Sequence, residues 1–269
     1  MTTSSPLTLL VDNGSLEPAA TLALRGLAAG LAAKIGRPVE PVSLLHSSAI
    51  DPALLGGQPA EILEPALERR LAAGQSDFIV VPLFFGPSGA LTDYLPKRVA
   101  HLRTKHPTLN VKLAAPLHAS DDDRLALMLA DHVRAAGSGS RRVALVDHGS
   151  PAPAVTAVRN ELARRLAKLL GPDYTVSPAS MERRAGAEYD FCDPLLERLL
   201  HGPAWHTGEI IVALQFLLPG RHAGPDGDVA KICRAAEAAH PGLKTRMTKL
   251  VAEHPLLLDI LADRWRAAR

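Results

Sequence analysis

The chain has 269 residues, of which 47% are hydrophobic and 22% charged, and its formal net charge is +2. That balance is typical of a soluble globular protein, and no apolar run approaches the roughly 18 residues of a membrane span. The small net charge and 4% aromatic content leave neither the basic footprint nor the stacking platforms of a nucleic-acid binder.

The first residues, Met1-Thr2-Thr3-Ser4-Ser5-Pro6, lack the basic and apolar regions of a signal peptide. Cys192 and Cys233 make neither a disulfide framework nor a zinc-finger spacing. Both observations lead us to expect a cytoplasmic protein. Short apolar runs then alternate with amphipathic stretches. Strands are expected at 7–11, 39–45, 78–85 and 111–115, with helices at 19–33, 60–73, 91–105 and 121–136. Small residues ending in charge at 135–142 read as a linker. Beyond it the order returns, with strands at 143–146, 175–181, 210–217 and 245–251 and helices at 152–170, 194–201, 227–239 and 255–268. Alternating strands and helices predict an α/β protein of two tandem, duplicated domains, 1–138 and 139–269, each a mainly parallel β-sheet flanked by helices.

The halves are related in sequence as well as in pattern. Leu9-Leu10-Val11-Asp12-Asn13-Gly14-Ser15 returns 135 positions later as Ala144-Leu145-Val146-Asp147-His148-Gly149-Ser150. Val39–Leu45 aligns with Val176–Glu182, and Phe84–Ala90 with Phe216–His222. At the matched places Asn13, Leu45 and Ala90 in the first half stand against His148, Glu182 and His222 in the second. Three positions change together, the pattern of a duplication with one working site.

His148, Glu182 and His222 each follow a predicted strand, so a parallel sheet brings all three to its carboxyl edge, where ligands gather. Two imidazoles and a carboxylate suit a borderline divalent metal and leave coordination positions open. Of the 11 histidines, His46, His118, His201 and His206 read as surface or core residues. His148-Gly149-Ser150 precedes a helix, so Ser150 and the local N–H groups are placed to receive an anion. Arg183, Arg184 and Arg221 adjoin the same residues and are placed to meet an anionic ligand. No G-x-S-x-G or P-loop motif is present.

Asp147-His148-Gly149-Ser150 after a first strand, Glu182 ending a second and Leu217-Leu218-Pro219-Gly220-Arg221-His222 after a third resemble the sirohydrochlorin chelatases. These are the class II, ATP-independent chelatases of the CbiX/SirB type, and the likeness to their long two-domain form covers the whole chain. The resemblance implies insertion of Fe²⁺ or Co²⁺ into sirohydrochlorin, a tetrapyrrole with eight carboxylates, giving siroheme or cobalt-sirohydrochlorin without ATP. It puts metal binding and catalysis on His148, His222 and Glu182 and substrate contacts on Ser150, Arg183, Arg184 and Arg221. It further implies no permanently bound cofactor and no nucleic-acid or membrane partner. A monomer is expected, because the duplicated chain can imitate a dimer. A carrier that binds metal or tetrapyrrole without turnover would keep the same residues and is the alternative.

Overall fold

Parallel strands cannot be joined by tight hairpins, so alternating apolar runs and amphipathic helices build sheets covered on both faces. The computed structural model describes residues 5–137 and 139–269. Met1–Ser4 of the N-terminal segment read above and Ser138, the expected end of the first domain, lie outside them. In chain order the main elements are β1 Leu7–Asp12, α1 Pro18–Ile35, β2 Val39–Ser43, α2 Leu63–Ala72, β3 Asp77–Pro82, α3 Leu95–Lys105, β4 Asn110–Leu113 and α4 Arg124–Ala135. There follow β5 Arg142–Asp147, α5 Pro153–Leu170, β6 Thr175–Ser180, α6 Leu196–Leu200, β7 Gly208–Leu214, α7 Asp228–Ala239, β8 Leu243–Met247 and α8 Leu256–Ala267. Among the described residues no helix is long and apolar enough to cross a membrane.

The strands form two four-stranded parallel sheets, ordered β2-β1-β3-β4 and β6-β5-β7-β8, the expected duplicated α/β architecture. Leu9, Leu10 and Val11 of β1 and Val143 through Val146 of β5 are fully buried, since helices cover both faces of these inner strands. Pro18 and Pro153 open α1 and α5, positions where a missing N–H costs nothing. In each sheet the winding reverses between the two inner strands, β1/β3 and β5/β7, which opens a crevice at their carboxyl ends.

Packing divides the chain into two compact units, Met1–Leu117 with Pro255–Arg269, and His118–His254. This differs from the 1–138 and 139–269 division of the sequence repeats, because the last helix of each repeat is exchanged. α4 packs on α5 and β7, and α8 packs on α1 and β3. An amphipathic helix docks wherever a complementary face stands. On α8 that face is Leu257, Ile260, Leu261, Ala262 and Trp265. A Cβ at Gly30 of α1 would come within 2.9 Å of Leu258, so glycine lets the two helices close. Trp265 Nε1 donates to Thr8 Oγ1 at 2.8 Å, and Arg264 donates to the Pro116 and Leu117 carbonyls at 2.9 and 2.8 Å. In the second unit the position matching Gly30 is Arg165, whose guanidinium donates to the Ser120 and Asp122 carbonyls at 2.6 and 3.0 Å and to the Asp123 carboxylate at 2.7 Å.

Trp265→Ala removes a buried ring and orphans Thr8, and is expected to destabilise the protein by about 3–5 kcal/mol, read as a lower urea midpoint. A loss below about 1 kcal/mol would mean that α8 docking contributes little to the first unit.

Candidate functional site

The site is built from the backbone at the end of β5. Met181 N–H donates to the Asp147 carbonyl at 2.7 Å and Glu182 N–H to the His148 carbonyl at 3.1 Å. These bonds prolong the β5–β6 pairing past the strands and bring Glu182 beside His148. Gly149 has φ +91, and a Cβ there would lie 1.9 Å from the Glu182 carbonyl oxygen. Only glycine fits. The first unit repeats the turn: Gly14 also has φ +91, its Cβ position is 1.8 Å from the Leu45 carbonyl, and Leu45 N–H donates to the Asn13 carbonyl at 3.2 Å. The two units share the turn and differ in the side chains it presents.

His148 and His222 follow the two strands that flank the crevice, and their rings stand edge to face with centroids 4.7 Å apart. His148 Nδ1 lies 2.8 Å from the Gly149 carbonyl. A carbonyl only accepts, so Nδ1 carries the proton and Nε2 is the lone pair when the ring is neutral. That Nε2 is 3.5 Å from Glu182 Oε1. A lone pair therefore faces a carboxylate oxygen, an arrangement that a proton or a metal ion between them relieves. His222 is oriented in the same sense. Its Nδ1 lies 2.8 Å from Asp228 Oδ2, so Nδ1–H donates to the carboxylate and Nε2 is free to coordinate. Asp228 is itself held by Lys231 Nζ at 2.9 Å, with Arg221 Nε at 3.6 Å. The hydrogen bonds from Lys231 and His222 keep its carboxyl below the usual range.

The residues expected to contact an anion differ in what they already engage. Ser150 Oγ accepts the Ala152 N–H at 3.1 Å and so closes the turn into α5. The Arg183 guanidinium is committed to the Gly186 carbonyl, Asp190 and Asp193 at 2.9, 3.0 and 3.3 Å. Arg184 and Arg221 are exposed; Arg184 lies over the Tyr189 ring. His148 and Glu182 are open to solvent as well, with side chains 49% and 60% exposed. Among the described residues no three His, Cys, Asp or Glu side chains already surround one metal position. The site is a set of adjacent donors, not a closed cage.

Two contributors escaped the sequence. Asp228 read only as the start of a helix, yet it orients His222; a carboxylate at the first turn of the helix after a histidine loop was the available signal. Arg159 is 1% exposed beneath the site. It donates to Ser180 Oγ and to the Cys192 carbonyl, and Ser180 Oγ donates to Asp147 Oδ1 at 2.7 Å. Its counterpart in α1 is Leu24, and no local pattern marks the exchange.

The CbiX family model matches residues 7–136 and again residues 142–268. No curated protein matches the sequence. Among solved structures the chain is similar to SirB from Bacillus subtilis with Fe³⁺, with TM-score 0.72 and 18% identity, covering 98% of this chain and 96% of that one. It is similar to the sirohydrochlorin chelatase SirB from Bacillus subtilis subspecies spizizenii in complex with cobalt, with TM-score 0.70, 17% identity and coverage of 98% and 95%. A third likeness is to CbiX, the terminal enzyme for siroheme biosynthesis in denitrifying bacteria, with TM-score 0.58, 19% identity and coverage of 98% and 100%.

Asp12, the counterpart of Asp147, has Leu24 at the position where the second unit has Arg159. Burial pushes its carboxyl from 3.8 up to about 6, against hydrogen bonds from Ser43 and the Gly14 N–H. The folded protein then holds this proton more tightly than the unfolded chain does. Asp12 is harmless below about pH 4, and its ionisation lowers stability as pH rises toward and past 6, by about 3 kcal/mol in all. Asp12→Asn is therefore expected to gain stability over the parent at pH 7 and to lose that advantage at pH 4. Urea denaturation at both values measures it, and an identical difference at the two would contradict the buried proton.

Proposed function

The chain belongs to the CbiX family, and from that membership we propose that it is a sirohydrochlorin chelatase, inserting Fe²⁺ or Co²⁺ into sirohydrochlorin without ATP. One observation carries the reading. Both His148 and His222 have Nδ1 committed to an acceptor, so two Nε2 lone pairs are presented with a carboxylate alongside, at the crevice where an α/β sheet binds ligands.

Metallation exchanges two pyrrole N–H protons for one divalent cation. His148 and Glu182 hold the incoming metal loosely. His222, backed by Asp228, completes the donor set and takes up a pyrrole proton as the metal leaves; the carboxylate steadies the imidazolium that results. Glu182, freed as the metal leaves and exposed to solvent, takes the second pyrrole proton and passes it outward. Arg184 and Arg221 pair with carboxylates of the tetrapyrrole, where a guanidinium can bind in a bidentate fork. Ser150 and Arg183 shape the loops that carry these groups. The metal–nitrogen bonds of the product drive the reaction, and a single chain suffices for it.

The test is anaerobic absorbance of sirohydrochlorin with the protein and Fe²⁺ or Co²⁺, against controls without protein. His148→Ala and His222→Ala are expected to lower the metallation rate on the order of 100-fold or more, Asp228→Asn roughly 10–100-fold, and Asn13→Ala about twofold at most. Equal damage from Asn13→Ala would overturn the one-site reading. Sirohydrochlorin bound with no metallation would identify a carrier.

A further inference from the structure

At the opposite end of the second sheet three histidines meet, two of which, His201 and His206, read from sequence as ordinary surface or core residues. His206 lies two residues before β7, while His201 caps the C-terminus of α6 and His240 that of α7. His201 Nδ1 and His240 Nε2 are 2.7 Å apart. The His240 ring centroid is 4.7 Å from that of His201 and 5.2 Å from that of His206. His206 Nδ1 lies 2.9 Å from the Gly202 carbonyl and so carries the proton, which leaves Nε2 as a lone pair. This is the same device that frees Nε2 on His148.

The cluster has no part in metal insertion at the His148 site. β7 has seven residues, and at about 3.3 Å each they separate its two ends by about 20 Å. We propose that His201, His206 and His240 form a second binding site for a borderline divalent cation, of the class of Zn²⁺, Ni²⁺ or Co²⁺.

Without metal, His201 and His240 share one proton in an N–H···N bond, and the rings do not yet surround a common point. A cation takes the place of that proton. The ring that donated it keeps one N–H by shifting the proton to its other nitrogen, so both imidazoles remain neutral and none is released overall. Two nitrogens each about 2.1 Å from one metal stand roughly 3 Å apart, so the rings need to separate only slightly. His206 Nε2 is the third ligand and water completes the sphere. One further feature favours a cation here. The C-terminal carbonyls of the twelve-residue α7 present the negative end of the helix dipole.

The test uses the full chain carrying His148→Ala and His222→Ala, which lacks the two imidazoles of the insertion site, titrated with Zn²⁺ by calorimetry at neutral pH. One equivalent is expected to bind. Adding His240→Ala, or in a separate protein His206→Gln, is expected to weaken that binding at least about tenfold, with circular dichroism confirming that each variant is folded. Absence of Zn²⁺ binding in the first protein, or binding unchanged by loss of His240 and of His206, overturns the proposal. His240→Ala alone is expected to leave the rate of sirohydrochlorin metallation unchanged.

Discussion

A Cβ at position 149 would stand 1.9 Å from the Glu182 carbonyl, and the geometry of the site depends on that exclusion. Because glycine permits the left-handed turn, the chain leaving β5 passes against the chain leaving β6, and their backbones pair one step beyond the sheet. His148 and Glu182 then rise side by side. The His148 ring is locked through the Gly149 carbonyl, a group that the same turn positions. One steric constraint thus fixes the place, tautomer and partner of the first histidine. His222 is fixed differently, by a carboxylate at the start of the helix that follows it.

The intact turn at Gly14 shows that this backbone frame does not depend on the side chains at the site. Its backbone pairing needs glycine and the neighbouring carbonyls, and asks nothing of Asn13 or Leu45. The aspartate that ends the first strand of each unit belongs to this frame as well. Asp12 and Asp147 are both buried, and each takes the N–H of the glycine two residues on as well as the hydroxyl of a serine that ends the next strand. Such a carboxylate accepts hydrogen bonds that hold the turn in both units, whichever side chains stand at positions 13 and 148. The units differ beneath it. Arg159 offsets part of the charge of Asp147, whereas Leu24 offers Asp12 nothing and its carboxyl titrates near 6.

Much of this was legible in the sequence because strands buried on both faces are continuous apolar runs, and because a duplication supplies its own comparison. Asn13 against His148, Leu45 against Glu182 and Ala90 against His222 mark one sheet edge without any structure. The remainder was not legible, for physical reasons. An amphipathic helix records that it has a buried face but not which sheet covers it, so the exchange of α4 and α8 left no trace in the repeat. Arg183 and Arg184 are adjacent and chemically alike, yet Asp190 and Asp193 engage the first and leave the second exposed. His201, His206 and His240 are spread over 40 residues and meet only because helix ends and a strand start share one end of a sheet.

On the chelatase reading proposed above, the openness of the His148 site follows from what it would handle. A structural metal site is closed and satisfied, and its affinity is folding energy. A site whose metal must leave for four tetrapyrrole nitrogens is under the opposite constraint. Binding the cation equally well before and during transfer contributes nothing to the rate, and binding it better beforehand slows release. His148, Glu182 and His222, on three separate loops, partly exposed and not gathered about one point, would meet that requirement. The hydrogen bonds behind them hold the lone pairs in direction without closing the sphere. The cluster at the far end of the sheet is arranged differently, because His201 Nδ1 and His240 Nε2 already stand 2.7 Å apart.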